Sequence, residues 1–185
     1  GTSHIDTMEK TIDVLEKEFA KTFEEAVVYR AFTSNMIIKK LKRTANIKVQ
    51  TVGEALEKMA ADGIEEVIVQ PTHVINGIEN DQMKADALSF RDRFSSIVFG
   101  NPLLTTEEDN QAIVRVVADE FRDMDPDTAL VLMGHGTEHY ANTVYAALDY
   151  RFKDTGHKNI FLGTVEAYPA LDSLLRALSL IHISE

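Results

Sequence analysis

A histidine between two glycines is the residue of this sequence with the clearest chemical potential. His135 lies between Gly134 and Gly136. This triplet directly follows five apolar residues that are typical of a buried strand. Glycine permits backbone geometries closed to other residues and lets a ligand approach closely. We therefore interpret His135 as an exposed imidazole that can act as a base or a metal ligand. A histidine retained for structural reasons is the alternative.

The same segment permits two other readings, which its pattern disfavours. His135 and His139 with Glu138 between them spell H-x-x-E-H, the pattern of inverted zinc peptidases. That motif needs both histidines on one face of a helix, and a Gly-Thr pair directly after a strand is poor helix material. A G-x-G-x-x-G phosphate loop also fails, because its last position is His139.

Two further segments place ionisable residues after apolar runs. His73 and Glu79 follow the run EVIVQ, and Glu166 follows the run IFLGTV. Taken alone, His73 is typical of a hydrogen-bonded loop residue, and Glu79 of a helix N-terminus, where the macrodipole favours negative charge. Taken together, two imidazoles and two carboxylates in a chain without cysteine suit a borderline divalent ion such as Co²⁺, Ni²⁺, Fe²⁺ or Zn²⁺.

One basic segment stands out on an acidic chain. The net charge of −11 argues against nucleic acid as a partner, because phosphate neutralisation needs clustered Lys and Arg. The segment 30–43 nevertheless holds five cations and no carboxylate, namely Arg30, Lys39, Lys40, Lys42 and Arg43. It is either a solvated helix face or a local anion-binding site.

Strand and helix patterns alternate along the chain, which predicts an α/β fold with parallel sheets and crossover helices. Apolar runs predict strands at 26–29, 66–70, 96–100, 129–133 and 160–165. Helical periodicity or capping residues predict helices at 7–22, 34–43, 51–62, 80–94, 107–122, 141–152 and 170–178. Ligands bind beyond the carboxyl ends of parallel strands, and such ends precede His73, Glu79, His135 and Glu166.

The length of 185 residues fits one large or two small domains. The polar turn MDPD predicts a division into an N-terminal domain, 1–124, and the start of a second, 125–185. No apolar run approaches the roughly 20 residues needed to span a bilayer, so no membrane association is expected. The absence of cysteine excludes disulfides and thiolate chemistry. The cytoplasm is the expected compartment, and a homo-oligomer is compatible with the sequence.

Six stretches, in this order, resemble one known family. They are GTSHIDTMEKTI, RAFTSNMIIKKL, the HVINGIE run, NPLL, MGHGTEHYAN and VEAYP. The resemblance is to the anaerobic cobalt chelatases, class II chelatases related to ferrochelatase, which insert Co²⁺ into sirohydrochlorin during vitamin B12 synthesis. It implies two Rossmann-like halves that face each other across a substrate cleft. The implied partners are a tetrapyrrole and a divalent metal, with Co²⁺ as a substrate and Ni²⁺ or Fe²⁺ as alternatives.

The resemblance also implies roles for three residues. His135 corresponds to the family's first metal-binding and catalytic histidine. Glu166 resembles the family's metal-binding glutamate. Glu79 resembles an acidic residue that helps to deliver or orient the metal and is counted here with the catalytic residues.

Contacts to the tetrapyrrole are expected from four residues. Thr2 and Ser3 belong to the first matching stretch, and His73 lies in the same motif as Glu79. Arg30 is a hypothesis from the charge pattern, because sirohydrochlorin is a polycarboxylate that guanidinium and ammonium groups would bind.

The family pattern extends beyond this sequence at both ends. It has an apolar strand before the first motif and a second catalytic histidine downstream, in a segment resembling G-D-H-A. His182 does not match that histidine in spacing or context, so no role is assigned to it. We therefore expect a chain truncated at both ends, with the second histidine beyond residue 185. The alternatives to a cobalt chelatase are a chelatase for Ni²⁺ or Fe²⁺, a non-catalytic metal- or tetrapyrrole-binding protein, and an inactive fragment.

Overall fold

A computed structural model describes residues 2–125 and 127–181 of the chain, with the backbone alone at residues 180 and 181. Helices and short parallel strands alternate, so the predicted α/β class is confirmed. The chain forms two compact units, Gly1–Val69 with Gln82–Phe99, and Gln70–Asp81 with Gly100–Glu185. These bounds differ from the predicted division after residue 124, which stays a prediction. None of the described helices is long and apolar enough to cross a membrane.

The first unit contains most of the N-terminal helices and one strand pair. Its elements are α1 (Ile5–Lys10), α2 (Ile12–Thr22), α3 (Asn35–Ala45), α4 (Val52–Ala61), β1 (Glu66–Val69), the C-terminal part of α5 (Ile78–Leu88), a 3₁₀ turn (Arg91–Arg93) and β2 (Ser96–Phe99). Ser34 caps α3, and Thr51 forms a capping box with Glu54 at the start of α4. Gly63, at φ 80°, follows α4 in the left-handed conformation expected after a helix end.

Two predictions for the first 30 residues are wrong in detail. The single helix at 7–22 is two helices separated by Thr11, whose backbone leaves the helical region at φ −125° and ψ −72°. The Thr11 hydroxyl donates to the Thr7 carbonyl, a bond that competes with regular helix geometry. No strand forms at 26–29, and β pairing nearby is confined to a bridge between Ala31 and Gln50. An apolar run becomes a strand only when a second strand accepts its backbone hydrogen bonds.

The strand pair of the first unit is parallel and covered on one face. β1 and β2 pair in register from Glu66 opposite Ser96 to Val69 opposite Phe99. Val67 packs with helical side chains in a buried cluster, made of Val52, Leu56, Val67, Met83 and Ala87. The side chains of Ile68 and its partner Val98, on the other face, are 72% and 51% exposed.

The second unit contains the other strand pair and the helices that pack against it. Its elements are the N-terminal part of α5, α6 (Glu107–Glu120), β3 (Leu130–Gly134), a 3₁₀ turn (Tyr140–Asn142), α7 (Thr143–Asp154), β4 (Ile160–Thr164) and α8 (Leu171–Ile181). β3 and β4 are parallel, and every residue of β4 is buried. The Asp149 carboxylate of α7 accepts a hydrogen bond of 2.8 Å from the backbone N–H of Leu162, which ties this helix to the middle of β4.

Candidate metal-binding site

The carboxyl ends of β3 and β4 bring two of the predicted site residues together. Backbone pairing continues past the strands, because Val165 N–H donates to the Gly134 carbonyl and Glu166 N–H donates to the His135 carbonyl, each at 3.0 Å. His135 and Glu166 therefore lie side by side on neighbouring segments. These two main-chain hydrogen bonds hold their backbones next to each other.

The two side chains meet in solvent. His135 Nε2 lies 3.4 Å from Glu166 Oε2, and the side chains are 78% and 65% exposed. An imidazole nitrogen and a carboxylate oxygen at this separation can bind one divalent ion of the borderline class. Within residues 2–125 and 127–181, no three His, Asp or Glu side chains converge in a way that could hold a metal ion. An ion held by this pair would take its remaining ligands from water or substrate.

The glycines beside His135 are explained by packing within the chain. A Cβ on Gly134 would lie 2.6 Å from the Tyr145 ring, so β3 can approach α7 only without a side chain there. Gly136 has φ +85°, and a Cβ on it would lie 2.8 Å from the Ala167 backbone nitrogen. Packing within the chain is thus sufficient to explain both glycines, and the interpretation that they let a ligand approach stays a prediction. They bring His135 close to α7 and to the segment that carries Glu166.

The alternative of an inverted zinc peptidase is excluded by the local backbone. Residues 135–139 are not helical, so the two histidines of H-x-x-E-H do not share a helix face. His139 is 14% exposed, and its Nε2 lies 3.3 Å from an Asp81 carboxylate oxygen. Its Nδ1 accepts a hydrogen bond of 3.2 Å from the Ala141 backbone N–H, which fixes a proton on Nε2 in the neutral ring. His139 therefore holds its loop to the first turn of α5.

His73 and Glu79 lie together on the 70–81 segment of the same unit. His73 is half-buried, and burial lowers its pKa, although the nearby Glu79 carboxylate opposes that shift. Its Nδ1 is buried without a hydrogen-bond partner among the described residues. Glu79 is exposed in the first turn of α5. No described hydrogen bond or ion pair joins either residue to His135 or Glu166, so their parts in a common site stay predictions.

Three residues predicted to bind substrate lie in the first unit. Thr2 and Ser3 precede α1 and are partly exposed. Arg30 is engaged within the chain, because its Nε donates to Glu16 at 2.6 Å and its Nη2 to Asp13 at 2.5 Å. These carboxylates raise the Arg30 pKa even though partial burial opposes the charge. A substrate carboxylate would have to compete with both of them for this guanidinium.

The rest of the basic segment forms an exposed surface on α3. Lys39, Lys40, Lys42 and Arg43 are exposed, and none takes part in an ion pair among the described residues. This surface is available to an anionic ligand, and a purely solvated helix face has the same appearance. The choice between the two readings stays open.

Sequence reasoning missed two residues that hold the site segments in place. An Asp81 carboxylate oxygen lies 3.3 Å from His139 Nε2, and Asn142 bonds to backbone groups of both loops that follow β3 and β4. Asn142 stands in the matching stretch MGHGTEHYAN, but no spacing rule gives it a role. Contacts from a side chain to a distant backbone leave no periodic pattern in a sequence.

Fold and site together define an α/β protein with a histidine–carboxylate pair at the carboxyl ends of parallel strands. The family model described as cobalt chelatase (CbiK) matches residues 1–185, and the chain belongs to this family. It is 34% identical over 178 residues to the sirohydrochlorin cobaltochelatase of Salmonella typhimurium, which covers 96% of this chain and 67% of that protein. It is 31% identical over 170 residues to the sirohydrochlorin cobaltochelatase CbiKC of Nitratidesulfovibrio vulgaris, which covers 90% of this chain and 60% of that protein.

Proposed function

We propose that this protein inserts Co²⁺ into sirohydrochlorin, the activity for which both relatives are named. The observation that carries the proposal is the 3.4 Å separation of His135 Nε2 and Glu166 Oε2 at the carboxyl ends of β3 and β4. The pair lies where α/β proteins bind ligands, and its donor atoms suit a borderline divalent ion. The chain spans 67% and 60% of the lengths of the two relatives, so the activity of a whole protein is part of this proposal.

Metal insertion requires two events at the macrocycle. The hydrated ion must exchange water for pyrrole nitrogens, and two pyrrole N–H groups must lose their protons as the ion enters. His135 and Glu166 would hold the partly dehydrated ion, and the exposure of both side chains gives a large planar substrate access to it. His135 can instead accept one of the two protons, because a neutral imidazole is a base. Either role depends on the exposed Nε2 atom.

The other predicted site residues receive supporting roles in this proposal. Glu79 adds negative charge on the exposed first turn of α5, which would attract the cation before it reaches the pair. His73, Thr2 and Ser3 are proposed contacts of the macrocycle. Arg30 is the weakest member of the set, since Asp13 and Glu16 already occupy its guanidinium. The cations of α3 are exposed and take part in no ion pair among the described residues, so they would bind substrate carboxylates without that competition.

An absorbance assay of Co²⁺ insertion into sirohydrochlorin tests the proposal, with the Salmonella relative as a positive control. We expect insertion by this chain to fall at least about 100-fold in His135→Ala and in Glu166→Gln, as for loss of a group that acts at the reacting centre. His157→Gln, a change of a histidine in the same unit away from the pair, is the matched control. Insertion that persists in His135→Ala contradicts the assignment.

Direct Co²⁺ titration separates an enzyme from a binding protein. His135-dependent Co²⁺ binding without any insertion favours a non-catalytic metal-binding protein. Binding of sirohydrochlorin without metal binding favours a tetrapyrrole-binding protein. Neither result is expected from the proposed activity.

We propose Co²⁺ as the preferred ion, with Ni²⁺ and Fe²⁺ as the alternatives. Affinity alone does not decide among them, because nitrogen and oxygen ligands bind Ni²⁺ more tightly than Co²⁺ whatever the function. The measurement is therefore kcat/KM for insertion of each ion under identical conditions, with Fe²⁺ handled anaerobically. A higher value for Ni²⁺ or Fe²⁺ contradicts the proposal. A cytoplasmic location and a homo-oligomer stay predictions, and light scattering of the purified chain tests the latter.

A further inference from the structure

Asn142 connects the two loops that carry the metal-binding pair. Its Oδ1 accepts a hydrogen bond of 3.1 Å from the Thr137 backbone N–H, and its Nδ2 donates one of 2.6 Å to the Tyr168 carbonyl. Thr137 lies two residues after His135, and Tyr168 lies two residues after Glu166. One side chain therefore reaches both segments at equal distance in sequence from the two ligands.

The side chain of Asn142 is not used to cap its own helix. Asn142 occupies the N-cap position of α7, where an asparagine side chain ordinarily accepts a hydrogen bond from the first turn. No such bond is present here, and the residue itself has helical φ and ψ. The amide instead faces the two loops. Its orientation is fixed by its partners, because an N–H needs the oxygen and a carbonyl needs the nitrogen.

The loops need such a connection because backbone pairing ends beside the ligands. The last bond of the β3–β4 ladder joins Glu166 N–H to the His135 carbonyl. Beyond it, the β4 loop is held by Thr164, whose hydroxyl accepts from Ala167 N–H at 3.2 Å and donates to the Pro169 carbonyl. Those bonds stay within one loop. Among the described side chains, Asn142 is the one whose hydrogen bonds join both loops.

We propose that Asn142 is a positioning residue that sets the geometry of the His135–Glu166 pair, an inference that rests on the proposed metal site. The two ligand side chains are exposed, so packing around them does not fix where they stand. Their backbone positions determine where the side chains lie. Asn142 hydrogen-bonds to both loops from one point at the start of α7. Supporting groups of this kind change metal affinity by about 10- to 100-fold when they are removed.

The test uses two substitutions of Asn142 and one matched control. Asn142→Ala removes both hydrogen bonds. Asn142→Asp keeps an acceptor for Thr137 N–H but places an oxygen against the Tyr168 carbonyl, so it breaks one bond in a side chain of the same size. Asn159→Ala is the control, because Asn159 Nδ2 donates to the Thr128 carbonyl at 3.1 Å and so makes the same kind of bond at the opposite ends of β3 and β4.

The first measurement is amide hydrogen exchange, which needs no metal. We expect exchange of the Glu166 N–H to accelerate at least about 10-fold in Asn142→Ala and Asn142→Asp, and to stay within about two-fold of the parent in Asn159→Ala. Unchanged exchange at Glu166 in both Asn142 variants overturns the inference.

The second measurement is Co²⁺ titration of the same proteins, followed by the visible absorption of the bound ion. We expect Kd to rise about 10-fold or more in Asn142→Ala, with a changed absorption band, and to be unchanged in Asn159→Ala. Equal loss of affinity in the Asn142 and Asn159 variants means a merely structural role and overturns the inference. Absence of His135-dependent Co²⁺ binding by the parent chain overturns the proposed function and the purpose of the positioning residue together. Altered exchange with unaltered Co²⁺ binding overturns the positioning role alone.

Discussion

The two parallel strand pairs end in opposite ways. After β1 and β2 the chain continues with Gln70 and Gly100, and the Gln70 amide donates to the carbonyls of Pro71 and Asn101, each at 3.0 Å. A Cβ on Gly100 would lie 1.9 Å from Gln70 Oε1, so a larger residue there would displace the Gln70 amide. After β3 and β4 the chain presents His135 and Glu166 to solvent. The first end satisfies its own polar groups, whereas the second leaves two ionisable groups for a ligand.

The comparison extends to the strands themselves. β4 is buried along its whole length, whereas β1 and β2 expose one apolar face. The pair with the exposed side chains at its end thus has the better-packed strand beneath them. A preorganised binding site needs this arrangement, in which exposed side chains are carried by well-packed strands.

Truncation of one isoleucine in each strand pair gives the largest expected contrast. Ile160 in β4 is 3% exposed and Ile68 in β1 is 72% exposed. We expect Ile160→Ala to cost about 2–5 kcal/mol, because it leaves a cavity in the core. Ile68→Ala should cost less than about 1 kcal/mol, since little apolar area is lost from a buried surface. Urea unfolding followed by NMR signals of each strand measures both, and similar costs would remove the difference between the pairs.

A methyl group at Gly136 tests whether the β3 loop is as tightly packed as its contacts indicate. We expect Gly136→Ala to cost about 2–4 kcal/mol, because a positive φ and a close backbone contact add together. Gly156 has a similar φ of +94° but open space around its Cα, so Gly156→Ala should cost only about 1 kcal/mol. Urea denaturation of the two variants measures the difference. Equal costs would show that packing against the Glu166 loop contributes nothing.

Truncation of one side chain after each strand pair should separate effects on stability from effects on Co²⁺ binding. Gln70→Ala removes the two hydrogen bonds that close the first end, and we expect a loss of about 1 kcal/mol with unchanged Co²⁺ affinity. Glu166→Ala should change stability by less than about 0.5 kcal/mol, because the side chain is exposed, and should abolish tight Co²⁺ binding. Denaturant unfolding and Co²⁺ titration of both variants check this reciprocal pattern. A large stability loss in Glu166→Ala would contradict it.

The smallest expected effect concerns His73, the histidine that follows β1. Burial holds the pKa of His73 below its ordinary value of 6.5, so its neutral form is favoured in the folded state. The resulting stability is fully present above pH 6.5 and is lost as the pH falls through the folded-state pKa. An NMR titration should place the His73 midpoint below 6.5. His73→Gln should lose less stability than the parent between pH 7 and pH 5, and an identical decline would contradict the assignment.

Much of the site could be predicted because parallel strands end at one edge. Apolar runs placed His135 and Glu166 directly after neighbouring strands, and strand pairing then brought them together. The contacts of Asp81 and Asn142 could not be predicted, because each residue meets a partner that lies in another segment of the chain. The two glycines beside His135 were identified correctly as special, but the packing contacts that explain them could not be predicted. Their neighbours, Tyr145 and Ala167, are known only from the fold.

The fold was predictable wherever local signals and tertiary packing agree. Helices α3 and α4 have capping residues and an apolar face, and both form within two residues of their predicted bounds. The segment 26–29 has the apolar composition of a strand. It pairs with no second segment and does not form a strand. A strand depends on a second segment that is distant in sequence, so composition alone cannot guarantee it.

The β3–β4 ladder continues to Glu166. The backbone positions of residues 135 and 166 are therefore independent of which side chains these residues carry. Main-chain bonds and the Asn142 amide fix positions 135 and 166 without using either side chain. Other residues can therefore be substituted at these two positions without a change in the fold. If the pair binds the metal as proposed, substitutions at these two exposed positions should alter ion preference at little cost to folding. In the proposed site, single codon changes at positions 135 and 166 would therefore change which metal is preferred.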